Sequence, residues 1–140
     1  MGRRPGLWLY QARWPEGEDL RVWAAVSLLV LVFASIILDR APFWLIAPYA
    51  IMGGASWLAY WMDKRAAIAG RWRISEAGLH GLDAVFGIIG GLLAQQVFRH
   101  KTAKPGFALT TGAIAVTHGL VLAGIVVGAL SYAELAALLE

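Results

Sequence analysis

Two uncharged apolar runs, separated by three residues, constrain this chain more than anything else in it. Val22–Leu38 has no charge and only Ser27 and Ser35 as polar side chains; after Asp39-Arg40-Ala41, Pro42–Met62 is again uncharged. A helix rises about 1.5 Å per residue, so about 20 apolar residues cross the hydrocarbon core of a bilayer. The short link predicts an antiparallel helical hairpin, and Pro42 suits the first turn of its second helix. A cleaved leader is the rival reading of the first run. That run is longer than a usual leader core, and Ile-Ile-Leu-Asp-Arg is a poor cleavage site, so a retained helix is expected.

Composition supports lipid as the solvent. Of 140 residues, 59% are hydrophobic and 15% charged, more apolar side chain than a small soluble fold can hide. The expectation is an all-α membrane protein with about four hydrophobic helices in a small bundle. Residues 1–21 read as a polar tail, with Trp8, Tyr10 and Trp14 at the membrane surface. Residues 22–140 form the helical membrane domain. The third segment, Leu79–Phe98, contains His80, Asp83, Gln95 and Gln96; the fourth, Phe107–Leu130, contains Thr110, Thr111, Thr117 and His118. The first, second and fourth are the comfortable spans. Without cysteine, disulfides and thiolate sites are excluded. The net charge of +3 fits cytoplasmic loops and anionic headgroups, and nucleic acid is not an expected partner.

The third segment poses a topological conflict. Arginine and lysine favour the cytoplasmic side, which places Lys64, Arg65, Arg71 and Arg73 there. A single crossing by Leu79–Phe98 would put Arg99, Lys101 and Lys104 on the far side. Its strictly apolar part, Ala84–Ala94, is about 16 Å long as a helix, about half the core, and holds Gly87, Gly90 and Gly91. Either the segment spans with polar ends at both interfaces, or it bends near the glycines and returns. Bends are rare and the charge rule is statistical, so the ordinary span is the preferred expectation. Between Asp63 and roughly Ala77 a loop is predicted, with Ser75 capping the next helix and Glu76 in its first turn. Gly87/Gly91, Gly124/Gly128 and Gly53-Gly54-Ala55 permit close helix contacts, internal or in a homo-oligomer.

The candidate site is the pair of basic strings. Gln95 and Arg99 share a helix face, as do Gln96 and His100. Arg99, His100, Lys101, Thr102 and Lys104, joined by Lys64, Arg65 and Arg73, would hold a phosphate or carboxylate, arginine as a directed fork and lysine as a point charge. Anchoring of anionic lipid headgroups by the same charges is the plainer reading. Asp63 reads as a salt-bridge partner, since cationic neighbours lower a carboxylate's pKa and spoil it as a base. Asp83 inside an apolar segment needs a partner or a function; with His80 three residues away it is only a weak metal signal. No metal or cofactor is expected. His118 is expected to bond across the bundle to Gln95 or a threonine.

The strings Asp63-Lys64-Arg65-Ala66-Ala67 with Gly70, Arg73, Ile74 and Glu76, and Ala94-Gln95-Gln96-Val97-Phe98-Arg99-His100-Lys101-Thr102 with Lys104 and Phe107, resemble the signatures of a bacterial membrane family catalogued as domain of unknown function 1294. The resemblance runs over roughly residues 45–130. It implies a bacterial integral membrane protein, expected in the cytoplasmic (inner) membrane as a multi-pass chain, and implies no reaction. The chain departs from the family in having Ser75 in place of a common proline, and in lacking a proline in Phe86-Gly87-Ile88-Ile89-Gly90-Gly91. Three functions follow. One is a module binding an anionic lipid, a phosphate-bearing ligand or a partner protein. Another is a membrane enzyme on a lipid or phosphorylated substrate, with His100 as acid/base oriented by Asp63. The last is an oligomeric transporter or channel lined by Asp83, Gln95 and His118. No hydrolase elbow, Walker loop or dinucleotide fingerprint is present.

Overall fold

The computed structural model describes residues 18–99 and 104–138, and among these the regular structure is all helical. Helix α1 runs Glu18–Ile37. A 3-10 turn, Phe43–Leu45, leads into α2, Ile46–Ile68. Then come α3, Glu76–Leu82, α4, Ile88–Phe98, α5, Pro105–Val127, and a short α6, Tyr132–Ala137. This is the architecture of an all-α membrane protein. Three helical stretches are long and apolar enough to cross a membrane: Leu20–Ile37, Glu76–Phe98 and Pro105–Val127. Helix α2 falls outside that set although it is 23 residues long, because its tyrosines, tryptophans and glycines lower its hydropathy. The expectation that the second segment would be a comfortable span is corrected on hydropathy, while its length suffices.

Local chemistry explains the ends. Ser75 caps α3, its Oγ accepting the Gly78 N–H at 3.1 Å, with Glu76 in the first turn. Pro42 precedes the 3-10 turn, so the proline starts the second helix through a tighter turn. Gly128 (φ 78°) closes α5 in a left-handed cap. The predicted loop from Asp63 is shorter than expected. Helix α2 continues through Asp63, Lys64 and Arg65 to Ile68, since Asp63 faces inward and is fully buried. Helix α6 was not anticipated.

The third segment bends and returns. Val85 (φ −94°, ψ 62°) and Phe86 (φ 65°, ψ 1°) leave helical geometry between α3 and α4. Along the way in, Ile74 meets Asp63 of α2, Asp83 meets Ser56 and Tyr60, and Gly87 approaches Met52. Along the way out, Gly90 lies on Gly53, Gln95 reaches back to Tyr60, and Phe98 stacks edge-on against Trp57. The contacts descend α2 and then climb it again. Gly91 abuts the Asp83 carboxylate, eight residues away in sequence, which one straight helix forbids. Lys104 then pairs with Glu76 at the start of α3. The preferred expectation of an ordinary span therefore gives way to the re-entrant alternative. The missing proline misled: the bend rests on a left-handed Phe86 in place of a proline kink.

Helix α4 is the centre of the bundle. Ile88, Ile89, Gly90, Gly91, Leu92, Ala94 and Gln95 are buried, wrapped by α1, α2 and α5. Its two walls are a larger core of Leu28, Val32, Leu45, Tyr49, Ile88, Leu92, Leu122 and Ile125, and a smaller one of Ala59, Tyr60, Leu79, Ala94 and Phe107. Conversely, Val30 and Phe33 of α1 and Leu109, Val116 and Leu120 of α5 point outward, as lipid-facing positions do.

Candidate functional site

Helices α1, α2 and α5 run the length of the bundle and the α3–α4 hairpin turns back inside it. As a result, one end collects Arg21, Lys64, Arg65, Arg71, Arg73, Arg99 and Lys104, and the other carries Arg40 beside Asp39 and Glu134.

Two of the predicted anion-binding cations are engaged by acids. Arg73 gives Nη2 to Asp63 Oδ2 at 3.1 Å and Nε to Oδ1 at 3.4 Å, and Ile74 N–H donates to Oδ1 at 2.9 Å. Asp63 therefore pins the α2–α3 connection, and the carboxylate holds the Arg73 guanidinium above its ordinary pKa. Lys104 Nζ sits 2.7 and 2.9 Å from the Glu76 oxygens. That pair fastens the mouth of the hairpin. Arg65 lies over the Trp61 ring, 4.8 Å from its centroid, and Lys64 is half-buried on the same helix. Arg99 takes a left-handed conformation (φ 46°) as it ends α4. His100, Lys101 and Thr102 lie outside the described residues. Between Trp61, Arg65, Arg71, Trp72 and Ile74 an open cleft of about 600 Å³ faces outward. Arg71, absent from the predicted site, lines it.

A second polar constellation lies deeper. Asp83 accepts from Ser56 Oγ at 2.5 Å and from Tyr60 Oη at 2.7 Å. Gln95 Nε2 donates to Tyr60 Oη at 3.0 Å and to Thr111 Oγ1 at 3.2 Å, while Arg21 Nε donates to Gln95 Oε1 at 3.3 Å. Both amide protons and the carbonyl of Gln95 are thus used. The network ties α1, α2, the hairpin and α5 together. His118 bonds across the bundle as expected, but to Tyr49 Oη at 2.9 Å and the Ala84 carbonyl at 3.2 Å rather than to Gln95 or a threonine. His80 stacks on Phe107, centroids 4.2 Å apart.

Sequence reasoning found Asp83 and Gln95 and missed Ser56, Tyr60, Thr111 and Arg21. A signal existed for α2: Gly53, Ser56, Tyr60 and Asp63 recur at three- and four-residue spacing, a polar stripe on an apolar helix. Nothing local marks Arg21 or Thr111, because only the bend brings Gln95 to them.

The family described as "Protein of unknown function (DUF1294)" matches residues 53–107. The chain is also 34% identical over 82 residues to an uncharacterized protein, YsdA, of Bacillus subtilis (strain 168), covering 56% of this chain and 90% of that protein. The chain belongs to this family, whose function is unknown. No solved structure matches it. The matched region opens at Gly53 and closes at Phe107, so it takes in Ser56, Tyr60, Asp63, the whole hairpin and Lys104 and leaves out Arg21, Thr111 and His118. In this chain the matched region is the hairpin and the helix face it packs on.

Proposed function

We propose that the protein is a multi-pass protein of the bacterial inner membrane whose cytoplasmic end binds the phosphate-bearing headgroup of an anionic lipid. The observation that carries this reading is the 2.7 Å Lys104–Glu76 pair. By joining the hairpin's two ends, it supports a single basic face in place of two anchors on opposite sides. Positive charge concentrated on one face of a membrane protein marks the cytoplasmic side and attracts anionic headgroups. Arg65 and Arg71 line the cleft between Trp61 and Trp72, where arginine's fork suits phosphate and indole rings suit the headgroup layer.

The enzyme reading has less support. It needs Asp63 to orient His100, yet Asp63 is engaged by Arg73 and the Ile74 N–H.

The test is lipid retention. Protein purified from a mixed membrane, then analysed by mass spectrometry, should retain anionic over zwitterionic phospholipid. The double variant Arg65→Gln/Arg71→Gln should lose most of that preference. Added inorganic phosphate should leave retention unchanged if the lipid is the ligand; displacement would point to a soluble phosphate compound. Equal lipid retention by wild type and variant would sink the proposal.

A further inference from the structure

Among the described residues two carboxylates are buried completely, and the bundle treats them differently. Asp63 and Asp83 are both 0% exposed. Asp63 has a guanidinium and a backbone N–H. Asp83 has two neutral hydroxyls, from Ser56 and Tyr60, and among the described residues no cation touches it. An ionised carboxylate in an apolar interior is costly without a counter-charge, and a buried group commonly takes up a proton instead.

The charged and titratable groups around it do not supply one. From α2, Tyr60 donates to Asp83, and Asp63 lies further along the same helix. From α1, Arg21 stops at Gln95. From α5, His118 is held by Tyr49 and by the carbonyl of Ala84. On Asp83's own helix, His80 lies against Phe107. From α4, Gly91 presses on the carboxylate so closely that a Cβ there would collide with it. That contact, with a hydroxyl on each oxygen, fills the space that the six or more oxygens around a calcium or magnesium ion would need.

We propose that Asp83 is a reversible proton-binding site inside the membrane domain. In the ionised state both hydroxyls donate to the carboxylate. When a proton arrives, Asp83 becomes a carboxylic acid whose O–H donates to Ser56 Oγ. The serine proton then turns to the helix carbonyl four residues back, a bond serines in helices make readily. Tyr60 keeps its direction, since Gln95 Nε2 donates to its oxygen. One proton is taken up, forming the Asp83 O–H bond, and no other covalent bond is made or broken. The exchange re-sorts the hydrogen bonds at the seam between α2 and the hairpin. This inference stands apart from the headgroup reading, because it concerns the interior and not the basic face.

Infrared difference spectra of the full-length protein in lipid nanodiscs, recorded across steps in pH, test it. A carboxylic C=O band should rise and fall reversibly with pH, vanish in Asp83→Asn, and shift in frequency in Tyr60→Phe and Ser56→Ala. Glu134→Gln, at an exposed position on the far end, should leave the band in place. A band that survives Asp83→Asn, or that is present at one intensity at every pH, overturns the proposal, as does the absence of any such band. If Asp83→Asn fails to fold, the frequency shifts in the two milder variants decide, and unshifted bands in both overturn it.

Discussion

Gly90 lies on the backbone of Gly53 so closely that a Cβ added to Gly90 would collide with the Gly53 carbonyl, whereas a Cβ added to Gly53 would meet Gly90 at an ordinary 3.6 Å. The two glycines are therefore unequal partners in one contact. Gly90→Ala should destabilise the bundle by about 1–3 kcal/mol, the usual cost of overpacking, while Gly53→Ala should be close to neutral. Thermal unfolding in detergent, compared between the two variants, checks this, and equal losses would contradict the packing described.

Phe86 adopts φ 65° at the bend and packs edge-on against Tyr49 at 5.1 Å and His118 at 6.0 Å. Removing the ring loses apolar burial in either replacement, but glycine relieves a left-handed conformation that costs other residues about 1 kcal/mol. Phe86→Gly should thus be more stable than Phe86→Ala by about 1 kcal/mol, the reverse of the order in a helix interior. The same unfolding assay reads it.

The hairpin predicts sidedness. With no native cysteine, single cysteines at Ala69, Gly106 and Ser131, all exposed, can be labelled in intact and opened membranes. Ala69→Cys and Gly106→Cys should react from one side and Ser131→Cys from the other. Labelling of positions 69 and 106 from opposite sides would mean that Glu76–Phe98 crosses.

Asp63→Asn replaces an acceptor facing Arg73 Nη2 with an amide that can turn a donor toward it. Because Arg73 is 45% exposed, water offsets part of the loss, and a cost of about 1–2 kcal/mol is expected, below that of a fully buried pair. The more local effect should be faster proteolysis within residues 69–75, measured by limited digestion. Unchanged digestion would show that Asp63 does not hold that connection.

Lys104→Glu should open the hairpin mouth slightly, and Lys104→Glu/Glu76→Lys should restore it. Each step should stay within about 1 kcal/mol, since both side chains are partly solvated. A double-variant cycle on unfolding midpoints measures the coupling.

Most of the helical layout was legible because apolar runs, Ser75 and Pro42 speak through local chemistry. The charge rule also pointed the right way: it objected to a crossing between Arg73 and Arg99, and the bend answers that objection. The bend was legible only as the less favoured alternative near the glycines; its place was not, since Val85 and Phe86 carry no turn signal and the left-handed residue is an aromatic. The continuation of α2 past Asp63 was hidden for a related reason. A charged residue reads as the end of an apolar helix, and only the arrival of Arg73 and Ile74 from the next segment gives Asp63 a reason to stay inside. The partners of Gln95 come from α1, α2 and α5, at sequence separations of 74, 35 and 16 residues, beyond any local pattern.

The burial of α4 has a consequence for biogenesis. A helix of 11 residues, about 16 Å long against a hydrocarbon core of about 30 Å, with Gln95 on its face, offers lipid little to hold. It gains its place when α1, α2 and α5 close around it. The ribosome must therefore deliver α5 before the interior can consolidate, and because α4 returns to the end of the bundle where α3 began, α5 sets out with the heading that a direct link from α2 would have given it. The hairpin is an insertion in space that leaves the threading of the chain unchanged.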